Sequence, residues 1–292
     1  PDDADCIIET VGRQSFLEGR VLSVAPDSHY HARPESTFMW DSGDFPTGRL
    51  PGLYCSLGRR LFDPTRHRGF CYPLRYNEHV AAFPLQEASF LFGFFGNPSS
   101  PLRHRIFQTL AAADGSALLR STPSIWAGMF GSQEEEAKRS YADGLRRCRF
   151  FLCPRGNGLS SIRLFETMEA SRVPVILSDA LVLPQCVDWD ACSIRVAESD
   201  LAGIPALLRT READWPTLAR NARREWENNF SDRHLLRRVA SEISSIRESR
   251  QRTEKGQGIR AVPRLLPDFA LYHAKRAWRA CQRTAHRQRT GA

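Results

Sequence analysis

Thirty residues, Phe150 to Asp179, constrain this chain more than any others, because they encode a buried strand, a glycine loop, a helix and a second buried strand in that order. Phe150, Phe151, Leu152 and Cys153 are a short apolar run of the kind a strand covered on both faces requires, and Pro154 ends it. Gly156 and Gly158 are expected to take positive φ and to let backbone approach a ligand closely. Ser160 or Ser161 then caps a helix in which Ile162, Phe165 and Met168 recur at helical spacing. Val173 to Leu177 form the second strand, with Pro174 tolerated near its start. Such an order builds a parallel sheet and brings a helix N-terminus, two glycines, Arg163 and Glu166 to its carboxyl edge, where open α/β sheets bind ligands.

The chemistry at that edge favours an anion. Free N–H groups of the first helical turn and the helix dipole attract phosphate, and Arg163 adds a bidentate contact. Glu166, three residues on and on the same face, can accept from two ribose hydroxyls. The residue types alone also allow a plainer outcome, in which Arg163 and Glu166 pair with each other on a solvated face for about 0.3–0.5 kcal/mol.

The segment Cys153-Pro-Arg-Gly-Asn-Gly, with Ser161-Ile-Arg163, Leu164-Phe-Glu166, Val173-Pro-Val-Ile-Leu-Ser-Asp179 and Leu183-Pro, resembles the exostosin domain of glycosyltransferase family 47. Val187-Asp-Trp and Ser193-Ile-Arg-Val196 extend the resemblance, which is strong over about residues 146 to 200. Weaker echoes lie at Phe94-Phe95-Gly96 with Arg103 and Arg105, and from Trp40-Asp41 to Leu53. Ile162 and Ser171 stand where the family usually has proline and glycine. The resemblance implies an α/β protein of two Rossmann-like domains (the glycosyltransferase B fold), a nucleotide-sugar donor and inversion at the anomeric carbon.

Three segments are expected: an N-terminal acceptor-side domain over 1–85, reduced in size; a nucleotide-sugar-binding domain with a parallel sheet over 86–240; and a basic helical segment over 241–292. In the first, Ile7-Ile8, Val21–Val24 and Ser36–Trp40 read as strands. In the second, strands at Phe90–Phe95, Ala117–Leu119, Val182–Leu183 and Ser193–Val196 alternate with helices opening at Pro101 and running from about Glu134 to Leu145. Helices follow at Leu201–Leu208 and Trp215–Phe230, then a polar helix from Ser241 to about Glu254. Leu271 to Arg289 carries one apolar stripe on a basic cylinder, suited either to packing on the first domain or to contact with a membrane surface through Arg276, Arg279, Arg283 and Arg287.

Charge localises the argument. The chain of 292 residues has a formal charge of +8, yet residues 247–292 hold twelve basic and three acidic side chains, leaving 29 against 30 in the rest. The body is therefore neutral, which argues against nucleic acid as a partner. Only three lysines occur among 41 basic residues, a bias read as a bacterial genome signature. The eight cysteines are scattered without a CxxC pair and read as buried free thiols, consistent with a cytoplasmic, at most membrane-peripheral, protein.

Sugar transfer with inversion needs charge stabilisation for the departing nucleoside diphosphate and a base for the acceptor hydroxyl. The donor side is assigned to Arg155, Gly156, Asn157, Gly158, Ser160, Ser161, Arg163 and Glu166, with a second helix terminus at Gly96–Ser100 contributing Gly96 and Arg103 or Arg105. For the base, Asp44 and then Asp41, in the turn after Trp40, are the candidates, ahead of His29 and Glu78; each could equally cap the turn. His29-Tyr-His31, on one strand face, and Asp188-Trp-Asp190 imitate metal motifs but lack a complete ligand set, so no metal and no cofactor beyond the nucleotide sugar is expected. The alternative function is an inactive exostosin-like module that binds a glycan or a partner.

Overall fold

The computed structural model describes residues 5–11, 28–73, 77–111, 115–122 and 132–253. The strand at Val21–Val24 and the helix at Leu271–Arg289 lie outside these residues.

Two parallel sheets organise the chain. In the first, β1 (Ile7–Val11), β2 (Thr37–Asp41), β3 (Gly52–Tyr54) and β4 (His67–Gly69) lie in chain order. Short loops join β2 to β3 and β3 to β4 without a helix, so this sheet is a reduced version of the usual α/β layer. β3 and β4 have only three residues each, too few for a periodicity to announce them.

The second sheet contains β5 (Phe90–Gly96), β6 (Ala117–Ser121), β7 (Cys148–Pro154), β8 (Val173–Leu177) and β9 (Ile194–Arg195), ordered β6-β5-β7-β8-β9 and parallel throughout. Helices α1 (Pro101–Leu110), α2 (Ser132–Arg146), α3 (Ile162–Glu169), α4 (Trp189–Cys192), α5 (Ile204–Thr210), α6 (Trp215–Asn229) and α7 (Leu235–Thr253) accompany it. The chain winds outward in one direction from β5 to β6 and in the other from β7 to β9. This reversal makes a crevice between β5 and β7 at their carboxyl ends, the place where doubly wound sheets receive ligands.

Three sequence expectations change here. Val182–Leu183 is not a strand of the sheet; the neighbouring Leu181 makes an isolated antiparallel bridge to Gly58, flanked by Val182 N–H to Leu57 O (2.9 Å) and Arg59 N–H to Ala180 O (2.9 Å). That stretch is used to join the two sheets rather than to extend one. His29–His31 is a single 3₁₀ turn capped by Ser28, not a strand, so its imidazoles share no strand face. The polar helix begins at Leu235 instead of Ser241, and its Val239, Ile243 and Ile246 are buried.

α7 crosses back to the first sheet. Its apolar face joins Phe38, Trp40, Leu53 and Phe70 from that sheet and Leu164, Phe165 and Met168 from α3 in one core. Arg68 of β4 reinforces the crossing through Ser245 Oγ (2.9 Å) and Glu242 (3.4 Å). A second core, with Phe92, Phe94, Ile106, Phe150, Leu152 and Val175, fills one face of the second sheet. Arg172, wholly buried, donates to the carbonyls of Phe83, Pro84, Arg146, Ala170 and Ser171, pinning the connector between the sheets to the start of β8.

Candidate active site

The crevice between β5 and β7 is flanked by the N-termini of α1 and α3. Each helix follows the carboxyl end of its strand, so each presents free N–H groups and an arginine there. Ser100 caps α1, its hydroxyl accepting from Arg103 N (3.4 Å). Ser161 occupies the N-cap position of α3, but its side chain makes no capping bond. Its Oγ is buried without a hydrogen-bond partner, as is Nε of Arg103. Two polar atoms held in this state at one crevice mark a surface shaped for a polar ligand, since such groups are ordinarily satisfied within the fold.

Arg103 and Arg163 converge here from the two helices. Arg103 is only 7% exposed; it donates to Pro154 O (3.2 Å), and burial, then the nearby positive Arg163, push its pKa down to about 9. Arg163 donates Nε to Phe95 O (2.7 Å) and lies against the Phe94 and Tyr141 rings, leaving its terminal nitrogens beside Gly96. Among the described residues neither arginine forms an ion pair with a carboxylate. The Arg163–Glu166 pair that helical spacing permits is therefore not made. Glu166 is 6% exposed and lies next to Tyr141, whose hydroxyl is held well above its ordinary pKa by burial and then by this carboxylate.

The glycine loop works differently from expectation. Neither Gly156 nor Gly158 has positive φ. Gly158 is needed because the first sheet reaches it: a Cβ there would stand 2.5 Å from Asp44 O and 2.7 Å from Asp44 Cα. Gly156 faces the second arginine, its notional Cβ lying 3.3 Å from Arg103 Nη2. Ser160 N–H donates to Ser56 Oγ (3.3 Å), a further tie between the sheets, and Asn157 lies in the same loop, half-buried.

Arg155 and Arg105 turn elsewhere. Arg155 pairs with both oxygens of Glu198 (2.8 and 2.9 Å), and Arg105 donates to Glu198 O (2.6 Å). Glu198, which also ties itself to Asp179, follows β9 and has no motif that would reveal it in the sequence. Tyr72 and Tyr141 are likewise found only in space. Tyr72 packs on Phe165, and burial first, with Asp44 a smaller cause, raises its pKa; Asp44 also supports the charge of Arg103.

From the first sheet, the turn after β2 faces this crevice. Asp41 accepts from Gly43 N–H (2.7 Å), and burial drives its pKa up to about 6. Asp44 is half-buried against the glycine loop. His29 instead contacts Glu9, and Glu78 pairs with Lys138. Among the described residues, Glu78, His79 and Glu135 are the group with metal-like spacing, and His79 and Arg139 already engage Glu135. Asp188 caps α4 and Asp190 pairs with Arg195, so both have structural partners.

Residues 78–210 match the Exostosin GT47 domain model. Over that span the chain is similar to exostosin GT47 domains. It is 40% identical over 77 residues to the Exostosin-1 homolog of Caenorhabditis elegans, covering 26% of this chain and 20% of that protein. Exostosin-1b of Danio rerio is 29% identical over 154 residues, covering 48% of this chain and 21% of its own length. The chain thus spans about a fifth of these curated relatives. Among solved structures, Anabaena Alr3699/HepE in complex with UDP aligns with a TM-score of 0.41 at 12% identity, over 76% of this chain and 80% of that one. TarM aligns with a TM-score of 0.44 at 10% identity, over 81% and 54%. The strand orders define the fold directly: two parallel sheets with the β5–β7 crevice turned toward the first one, the glycosyltransferase B arrangement.

Proposed function

We propose that this exostosin-like chain is an inverting glycosyltransferase that moves a sugar from a nucleoside-diphosphate donor, UDP-linked in the first instance, to a hydroxyl of a glycan. The observation that carries this reading is the pair of guanidiniums, Arg103 and Arg163, brought to the β5–β7 crevice, where among the described residues neither forms an ion pair with a carboxylate. A diphosphate relieves their mutual repulsion and meets the α1 and α3 N-termini. Glu166, buried one turn into α3, is suited to the ribose hydroxyls. In the transfer step the acceptor oxygen attacks the anomeric carbon as the bond to the diphosphate oxygen breaks. The electron pair leaves with the nucleoside diphosphate, stabilised by the arginines. The acceptor proton passes to a carboxylate of the turn after β2. Two arginines supply the positive charge that the leaving group needs, so the reaction is proposed to proceed without a divalent metal.

A thermal-shift panel of nucleotides and nucleotide sugars tests the donor site. A specific ligand at 100 times its Kd adds about 2.7 kcal/mol of stability, and Arg163→Ala abolishes that shift. Release of UDP or GDP in the presence of glycan acceptors then tests transfer, with and without chelator. No shift with any nucleotide would refute the donor reading and favour a module that binds glycan alone.

A further inference from the structure

The two aspartates of the turn after β2 occupy different environments three residues apart. Asp41 ends β2 opposite Tyr54, and its carbonyl accepts from Cys55 N (2.9 Å), so its backbone is fixed by β3. Its carboxylate points back along its own turn, where Oδ1 accepts from Gly43 N–H at 2.7 Å. A Cβ at position 43 would lie 2.9 Å from that same oxygen, so a side chain there would press on the carboxylate and disturb this bond. Tyr54 and Cys55 of the same sheet feel Asp41: burial first, and then its charge among the smaller causes, pushes both up.

Asp44 belongs to the other side of the turn. Its backbone rests on Gly158, its neighbours across the crevice are Arg103 and Tyr72, and like Asp41 it is half-buried. In an inverting displacement the base stands across the anomeric carbon from the leaving group. A carboxylate on the first sheet, facing the arginine that would hold the diphosphate, meets that requirement.

We infer that Asp44 is the group that takes the acceptor proton, and that Asp41 is a positioning residue that fixes the turn carrying it. This rests on the glycosyltransferase reading above. Asp41 acts through its bond to Gly43, which an amide oxygen at the same position can also accept, whereas no amide replaces the basicity of Asp44.

The experiment uses the full chain with Asp44→Asn, Asp41→Asn and Asp41→Ala. Asp44→Asn lowers kcat by about 100-fold or more, in the range of general base catalysis, with nucleotide affinity within about threefold of wild type, the scatter of an uninvolved contact. Asp41→Asn loses less than about tenfold, well short of removing a base, and keeps the acidic limb of the pH–rate profile. Asp41→Ala loses more than Asp41→Asn and speeds hydrogen exchange at the Gly43 amide. Asp41→Asn as damaging as Asp44→Asn, or an Asp44→Asn enzyme within about tenfold of wild type, would overturn the assignment. If wild type binds nucleotides but releases no diphosphate with any donor, the transfer reading fails and Asp44's task with it. Asp41's task is then decided by Gly43 exchange alone: equal protection in Asp41→Ala and wild type refutes it.

Discussion

Gly158→Ala probes the closest approach between the two sheets. The added methyl would lie 2.5 Å from Asp44 O, 2.7 Å from Asp44 Cα and 3.0 Å from Asp44 C. These are backbone atoms, and the turn bearing them is closed by the Asp41–Gly43 bond, so no side-chain rotation relieves the clash. Restoring ordinary contact requires a displacement of the order of 1 Å, and overpacking of this kind typically costs about 1–3 kcal/mol. For a chain of this size each kcal/mol lowers Tm by roughly 2–4 °C. Displacement of the turn by that distance is also enough to lower the transfer rate by about 100-fold. Nucleotide binding should survive, because Arg103, Arg163 and Glu166 all belong to the second sheet's helices. Gly156→Ala is the internal control: its methyl meets Arg103 Nη2 at 3.3 Å, the movable end of a side chain, so it perturbs nucleotide affinity before stability. The assays are melting curves, calorimetric nucleotide titration and initial rates on the same preparations. A Gly158→Ala protein with wild-type Tm and rate would refute the close apposition on which the site depends.

Asp41→Asn should stabilise the fold at neutral pH. Burial raises the folded pKa to about 6 from a reference of 3.8, so the folded state binds the proton more tightly than the unfolded one. The stability this confers is full below about pH 4 and is lost as pH rises through about 6. At pH 8 the variant should exceed wild type by at most about 3 kcal/mol, the ceiling set by about 1.4 kcal/mol per pH unit, with the gap closing toward pH 4; urea melts at both pH values check this, and a gap independent of pH would count against burial as its cause. Arg172→Met should destabilise by about 3–5 kcal/mol, because it strips the donors from a group of buried carbonyls; a melting point within a degree of wild type would show that those carbonyls find other donors.

The second sheet was legible in the sequence because its strands are apolar on both faces. Phe90–Phe95, Phe150–Cys153 and Val173–Leu177 are continuous hydrophobic runs, and each is a strand in the structure. Pro101 with Ser100 before it opened α1 as expected. The first sheet was harder, since β3 and β4 have only three residues each and alternate with loops instead of helices. Leu181–Leu183 misled for a related reason: its burial comes from bridging to Leu57–Arg59, and an apolar run does not say which sheet it serves. At the site, the residues after β7 could be named from their order, but the direction of a side chain could not. Arg155 and Arg103 look alike as loop-proximal cations, yet one closes on Glu198 and the other is buried beside Arg163. Charge position after folding depends on Glu198, Tyr72 and Asp44, which are distant in the chain.

The proposed donor site lies in a neutral body, so its preference for anions is local. A surface cation pairs freely with any anion and is screened by salt. Arg103 has instead been withdrawn from water beside the half-buried Arg163, and burial, then that neighbour, depresses it to about 9. Folding keeps such an arrangement against its own electrostatics. Hydrogen bonds to Pro154 O and Phe95 O hold each guanidinium but neutralise neither. A ligand with two adjacent negative groups removes the repulsion from both at once, whereas a single carboxylate reaches one. The two arginines reach the crevice from helices that follow β5 and β7, adjacent strands at the reversal of winding, and the proposed preference for a diphosphate rests on that placement.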